Sequence, residues 1–269
     1  MRNIIERYAE LSPLLRGPLW KIWHRYIHSK DKTLGIKFLN YGYVELDHSK
    51  QLLDLQSEDE AERTCIQMYN QVVRGIDLNE KTVLEVGCGR GGGAEYLTKY
   101  KHPKSYLATD ISPKVILFCN EFYKIPGLSF SVANAEMLPF PDNTFDFVIN
   151  VESSRCYNNM NAFLNHVVRV LCIGGYFCFA DMRYNSDLPL LRNQFVNAGL
   201  EILEERDILP NVVAALENDN ERRKNLIVNK LPGFLESTGN EFAGIVGSKR
   251  YELFANGTMA YRTFLLYKC

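Results

Sequence analysis

"VLEVGCGRGGG", residues 83–93, decides how the rest of the chain is read. An apolar run, Val83, Leu84 and Val86, enters a stretch with five glycines in seven positions. A buried strand that turns sharply into a helix has this pattern. Gly87, Gly89 and Gly92 satisfy G-x-G-x-x-G, and Asp110 closes the next apolar run, so a nucleotide site at the C-terminal edge of a parallel sheet is expected. Glu85 lies inside the strand, two residues before the first glycine. A carboxylate there would face a pyrophosphate across a short distance, which argues against a phosphate ligand.

Outward from this loop, β-rich runs alternate with helical ones. "TVLEVG", "SYLATD", "LSFSVA", "FDFVIN" and "GYFCFADM" are separated by "GAEYLTKY", "PKVILFCNEFY" and "MNAFLNHVVRVL". Such alternation predicts an α/β fold with a parallel sheet and crossover helices, its strands apolar because both faces are covered. Residues 58–76 and 186–198 read as further helices, the latter followed by "EILEERDIL", and "MAYRTFLLYKC" reads as a final strand. The charged, weakly periodic segment 210–247 reads as a substrate-facing insertion. Three parts follow: an N-terminal helical and aromatic lid (1–57), a cofactor-binding core (58–185) and a C-terminal completion of the sheet (186–269), in one structural domain overall.

The site is expected at the strand ends. Asp110 is positioned to accept from both ribose hydroxyls, and Ile111 to cover an adenine face. Asn134, Ala135 and Glu136 follow a strand end at Ala133, where a side-chain oxygen and a backbone N–H would read the adenine edge. S-adenosyl-L-methionine fits this set: it has ribose and adenine but no phosphates, and its amine and sulfonium suit Glu85. Gly87, Cys88, Gly89 and Gly91 would let the backbone approach its methionine part, with Asn150 and Val151 beside it. Tyr41 and Tyr43 in "NYGY" are candidate lid residues. "NVESSRCY" and "FADMR" supply candidate catalytic residues: Glu152 as polar organiser or base, with Arg155, Tyr157 and Asp181. A nicotinamide-dependent oxidoreductase is the rival reading of the glycine loop.

"VLEVGCGRGGGAEYL", "TDISP", "NAEMLPFPDNTFDFVINVES" and "VLCIGGYFCFADMR" resemble, in order and spacing, the successive motifs of class I S-adenosylmethionine-dependent methyltransferases over residues 83–183. "NYGY", "NVESSRCY", "NVVAALE" and "EFAGIVGSKRYELFANG" resemble the bacterial phthiotriolone/phenolphthiotriolone dimycocerosates methyltransferase group over most of residues 37–268. The resemblance implies a three-layer, Rossmann-like, seven-stranded sheet, mostly parallel with the last strand antiparallel. It implies methyl transfer to a hydroxyl of a small or lipid-like acceptor, with S-adenosyl-L-homocysteine as product. C- or N-methylation, or cofactor binding without catalysis, are the alternatives. This chain departs from the pattern at Asn134, where the class more often has Asp, and at Arg155, where the closer group usually has His. Arginine stays protonated and does not replace a histidine base.

Bulk properties bound the rest. The chain has 269 residues, 46% hydrophobic, with net charge −1, so no global charge favours nucleic acid. Seven scattered cysteines without a C-x-x-C pair suggest free thiols in a reducing compartment, hence a cytoplasmic protein. Five histidines show no metal-ligand spacing, and no metal is expected. No apolar run reaches the roughly 18 residues of a membrane span. "LWKIWHRYIHSK" carries Leu19, Trp23, Tyr26 and Ile27 on one helical face. It reads as a lid helix packed on its own domain, with weak membrane-surface contact of residues 18–30 as the alternative. Phe38 and Trp20 before the core, and Phe242, Tyr251 and Phe254 after it, suggest a greasy acceptor pocket.

Overall fold

The structure, a computed structural model, describes residues 36–231 and 233–269. The expected helices before residue 31, and the membrane-surface reading of residues 18–30, lie outside the described residues.

The first strand, β1 (Thr82–Val86), enters the glycine turn, and α2 (Gly92–Lys101) follows. The preceding helix is α1 (Arg63–Val72). The chain continues through β2 (Ser105–Asp110), α3 (Pro113–Phe122), β3 (Leu128–Val132), β4 (Phe145–Val151), α4 (Met160–Val170) and β5 (Leu171–Tyr184). Pro113 opens α3 at a position where its missing N–H costs nothing. The Asn159 side chain caps α4 by accepting from Ala162 N at 3.0 Å. After α5 (Leu188–Asn197) and β6 (Leu200–Asp207) come α6 (Leu209–Asn218), α7 (Asn220–Lys230), α8 (Glu236–Ala243) and α9 (Lys249–Ala255), then β7 (Met259–Lys268). The insertion expected over 210–247 is therefore helical. Its charge hides the periodicity because several arginines and acids there pair with each other rather than with water.

The sheet order is β3-β2-β1-β4-β5-β7-β6. Neighbours from β3 to β5 pair in parallel, while β7 pairs antiparallel with both β5 and β6. This is the seven-stranded, mostly parallel sheet with an antiparallel last strand. Side chains alternate between two cores, as strand period two requires. Val83, Tyr106, Phe147, Ile149 and Val151 face one core with residues of α1, α2, α3, α6 and α9. Leu84, Val86, Val148, Phe177 and Phe179 face the other, under α4 and α5. Strand order reverses direction between β1 and β4, and open α/β sheets bind ligands at that switch point.

Candidate active site

The C-terminal ends of β1, β2 and β4, with the chain after β3, surround a cavity of 460 Å³. Its floor is the glycine turn. Gly87 N and Cys88 N both donate to Thr109 O at 2.8 Å, which ties the turn to β2. Where a Cβ would stand, Gly89 has only Leu39 Cδ1 at 3.8 Å. Gly87 is different: a Cβ there would meet Ser153 Oγ at 2.3 Å. Both have positive φ, +81° and +52°, so glycine suits both, but Gly89 alone of the expected trio keeps open space for a ligand. Gly91 does not border the cavity and packs under the rings of Tyr123 and Phe130.

Asp110, Ile111, Asn134, Ala135, Glu136, Val151, Glu152, Arg155 and Tyr157 all border the cavity, with Gly87, Cys88 and Gly89. Asp110 Oδ1 accepts from Ser112 N at 2.9 Å and Oδ2 from Gly89 N at 3.2 Å. Each oxygen keeps a lone pair for a further donor. Burial pushes this carboxyl up from its ordinary value, against the lowering by those backbone N–H groups. Ile111 is 59% exposed at the rim, an apolar side chain with nothing over it. Asn134 Oδ1 accepts from Glu136 N at 3.0 Å, and Glu136 Oε1 from Asn158 N at 2.7 Å.

The structure corrects the reading of Glu85. It is fully buried and does not border the cavity. Its carboxylate accepts from Tyr69 Oη at 2.8 Å and Tyr106 Oη at 3.0 Å. Burial pushes it up to about 7, despite those two hydrogen bonds. Strand alternation is the reason: Glu85 shares the face of Val83, which packs on α1, while Leu84 and Val86 face the other core. The argument that its charge repels a pyrophosphate therefore falls. Asn150 is likewise fully buried and away from the cavity. Its amide donates to Val86 O (2.8 Å) and lies within hydrogen-bond reach of Ser153 Oγ (2.7 Å) and Tyr157 Oη (3.0 Å). It holds the wall rather than the ligand. Burial raises the Tyr157 phenol well above its ordinary value.

Tyr41 and Tyr43 also fall outside the cavity wall. Residues 36–44 nevertheless form a strap across its mouth, with Lys37, Phe38, Leu39 and Asn40 on the wall. Lys37 O accepts from Gly92 N at 3.2 Å, and Arg90 Nε donates to Ile36 O. Lys37 pairs with Glu95 at 2.9 Å. Further along, Arg223 Nη2 donates to Tyr41 O (2.9 Å), and Tyr41 Oη donates to Phe242 O (3.0 Å). The strap's own aromatic run gave a signal for it, and Phe242, expected in an acceptor pocket, does border the cavity; Tyr69, which also borders it, gave none, because a distant helix brings it there.

Glu152 follows β4 at φ +52°, a left-handed conformation unusual for a side-chain-bearing residue. Its Oε1 accepts from Tyr41 N (2.8 Å) and Tyr261 Oη (2.6 Å). Its Oε2 is buried and has no hydrogen-bond partner among the described residues, with Arg155 Nη1 at 3.9 Å. Burial raises this carboxyl, and Arg155 opposes the rise. Arg155 also donates to the Glu152 carbonyl and pairs with Asp181 Oδ1 at 3.3 Å. Burial works against its charge, but Asp181 beside it holds the guanidinium protonated.

Asp181 is a second correction. It does not border the cavity, and its side chain is fully buried. It accepts from Ser154 Oγ (2.7 Å), Arg155 N (3.0 Å) and Met182 N (2.8 Å), and pairs with Arg183 at 3.0 Å. Burial alone would raise this carboxyl, yet the two arginines hold it below the usual range. A carboxylate so occupied is a counter-ion, not a base.

These residues fit S-adenosylmethionine. Asp110 has spare acceptor capacity, Ile111 offers an uncovered apolar face, and Gly89 leaves room. No group of three or more His, Cys, Asp or Glu among the described residues is arranged to hold a metal ion. A sheet of this order, with β7 antiparallel between β5 and β6 and the cleft at the switch point, has the class I methyltransferase fold. Residues 84–179 match the family model for a methyltransferase domain. The chain is 36% identical over 246 residues to a phthiotriol/phenolphthiotriol dimycocerosates methyltransferase of Mycobacterium leprae, covering 91% of this chain and 90% of that one. It is 36% identical over 248 residues to a fatty-acid O-methyltransferase of Mycolicibacterium smegmatis, covering 92% and 89%. In fold it is similar to a putative sarcosine dimethylglycine methyltransferase from Galdieria sulphuraria, with a TM-score of 0.71 at 14% identity over 91% of this chain and 97% of that one. The chain belongs to the phthiotriol/phenolphthiotriol dimycocerosates methyltransferase family. It is an S-adenosylmethionine-dependent methyltransferase, and the nicotinamide reading of its glycine loop is set aside.

Proposed function

We propose that this enzyme methylates a hydroxyl on a small lipid-like molecule, and that Glu152 receives the hydroxyl proton. The observation that carries the reading is Glu152 itself. One carboxylate oxygen is anchored by Tyr41 and Tyr261, and the other is buried without a hydrogen-bond partner among the described residues. A buried acceptor without a hydrogen bond is costly, so a donor arriving there is strongly favoured. An alcohol supplies that donor; a carboxylate acceptor would instead bring a second negative charge against Glu152. The lipid character rests on the names of the two mycobacterial relatives.

When bound, S-adenosylmethionine supplies a methyl group on positively charged sulfur, a leaving group that needs no acid. Asp110, Ile111 and the 134–136 turn would hold its nucleoside end, and Gly89 would lie against its methionine part. The protein's work is then to align the hydroxyl oxygen, exclude water beneath the strap, and take the proton on Glu152 Oε2 as the new O–C bond forms. Arg155 is no base. It fixes the Glu152 carbonyl and favours the ionised carboxylate. In this reading the strap, residues 36–44, covers the cleft, 58–185 bind the cofactor, and 186–269 complete the sheet and the acceptor side. The seven free cysteines support a cytoplasmic location; among the described residues no helix is long and apolar enough to cross a membrane.

Glu152→Gln tests the role of the base, because glutamine still accepts from Tyr41 N and Tyr261 Oη. It is expected to lower kcat on an alcohol acceptor about 100-fold or more, with S-adenosylhomocysteine affinity unchanged in calorimetry. Because burial raises the Glu152 carboxyl, wild-type kcat/KM should climb with pH through a point above the ordinary carboxylate range. An undiminished kcat in the variant would remove Glu152 from proton transfer.

A further inference from the structure

Behind the strap lies a second cavity of 120 Å³, between residues 36–41 and helices α7 and α8. Ile36, Leu39, Leu226, Ile227, Leu231 and Phe242 line it. Leu39 and Phe242, with Phe38 and Asn40, border the main cavity as well, so the two share one thin partition. Leu226, Ile227 and Leu231 border only the second. We propose that this side cavity receives the hydrocarbon chain of the acceptor while its hydroxyl lies beside Glu152. The inference rests on the acceptor reading above and deepens it.

The chemistry of the wall selects the occupant. The polar groups at its margin are already satisfied by one another. Arg223 donates to Asp219 Oδ2 (3.0 Å), Tyr41 O (2.9 Å) and Ala243 O (3.2 Å). Arg222 pairs with Asp219 at 2.6 Å and Glu62 at 3.2 Å. Asn40 donates to Cys65 O (3.2 Å) and accepts from Gly42 N (2.9 Å). Two arginines against two acids leave no net charge for an ionic head, and an ion would have to break these pairs. What remains for a ligand is aliphatic and aromatic surface, which a methylene chain fills with hydrophobic gain. Position agrees with chemistry. The strap from Phe38 to Tyr41 separates the cavities, and Tyr41 N is the donor on Glu152. A hydroxyl held at Glu152 therefore has its chain directed past Leu39 and Phe242.

The test measures binding, so it does not depend on turnover. Straight-chain 1-alkanols of four to twelve carbons are titrated by calorimetry into the full-length protein saturated with S-adenosylhomocysteine. Affinity is expected to rise about fourfold per added methylene and then level off. Leu226→Trp, which plugs only the side cavity, should bring the levelling to a shorter chain; Leu226→Ala should postpone it. S-adenosylhomocysteine affinity should be unchanged in both, which certifies the fold. If the tryptophan variant does not fold, the alanine variant decides alone. Identical chain-length series in wild type and the folded variants, or no alkanol binding at any length, would overturn the proposal. A methyl-transfer assay on lipid extracts separately judges the acceptor reading. Turnover there with a flat alkanol series would keep the function and discard the chain cavity.

Discussion

Asp110 and Glu85 are both carboxylates on strands that end at the glycine turn, yet burial gives them different work. Asp110 stands at the last position of β2, where the chain leaves the sheet, and its side chain borders the cavity. Asp110→Ala is expected to weaken S-adenosylhomocysteine binding by about 10- to 100-fold, the loss of charge-assisted hydrogen bonds, read by calorimetry. Unchanged affinity would remove its ribose role. Glu85 stands one residue from the end of β1 and points into the core against Tyr69 and Tyr106. Its folded pKa is raised from 4.5 to about 7. Between those values the folded state binds more protons than the unfolded one, so this group's contribution to stability falls as pH rises from 4.5 to 7. The whole loss is about 3 kcal/mol. Glu85→Gln should therefore gain stability over wild type as pH is raised from 5 to 8, measured by urea unfolding; a constant difference would contradict it. Asp110 was legible because a strand-end acid after a glycine turn has few places to point. Glu85 was misread because the residue list of a strand does not say which of two buried faces holds a ligand.

The strap is the element whose position depends most on the rest of the chain. Residues 36–44 have no regular hydrogen-bonding of their own, and their backbone groups are taken up by β1's turn, Glu152, α1, α6 and α7. Tyr43 N donates to Thr64 O at 2.9 Å and Val44 N to Asn211 O at 3.2 Å. Arg223, buried under the strap, is the most connected of these partners. Arg223→Ala would strand the carbonyls of Tyr41 and Ala243 and unbalance Asp219, at a cost of about 3 kcal/mol. Amide exchange at Tyr41 and Tyr43 should quicken more than exchange in β4, and equal protection in both would show that the strap is held otherwise. The aromatic content of "NYGY" marked the neighbourhood of the cavity, whose wall includes Lys37–Asn40. Its contacts were illegible because Tyr41 and Tyr43 turn their rings inward, leaving the cavity wall to Lys37–Asn40. Helices α6 to α8 were read as a loose insertion for a related reason: arginines at 222 and 223 look solvent-facing until Asp219 and Glu62 are placed beside them.

At the scale of the molecule, the sheet brings together a site whose parts are far apart in sequence. Glu152 meets Tyr41 across 111 residues and Tyr261 across 109. Because the cavity wall comes from several strand ends, ligand binding there is linked to global folding. S-adenosylhomocysteine at 100 times its Kd should raise unfolding stability by about 2.7 kcal/mol, seen as a shifted urea midpoint; a midpoint indifferent to the ligand would mean the cleft persists in the unfolded ensemble or does not bind it. The strands, crossover helices and glycine turn were determined by the sequence alone, since period, apolar content and turn chemistry are local properties. So was the placement of Asp110, the 134–136 turn and Glu152 at the cavity, since all stand at strand ends. Tertiary structure alone decided that Glu85 and Asp181 are spent on internal partners, that Gly91 packs rings, and that α7 and α8 enclose a second apolar cavity. The physical reason is that hydrogen-bond saturation and cavity shape depend on neighbours from distant segments, and those neighbours are chosen only when the sheet closes.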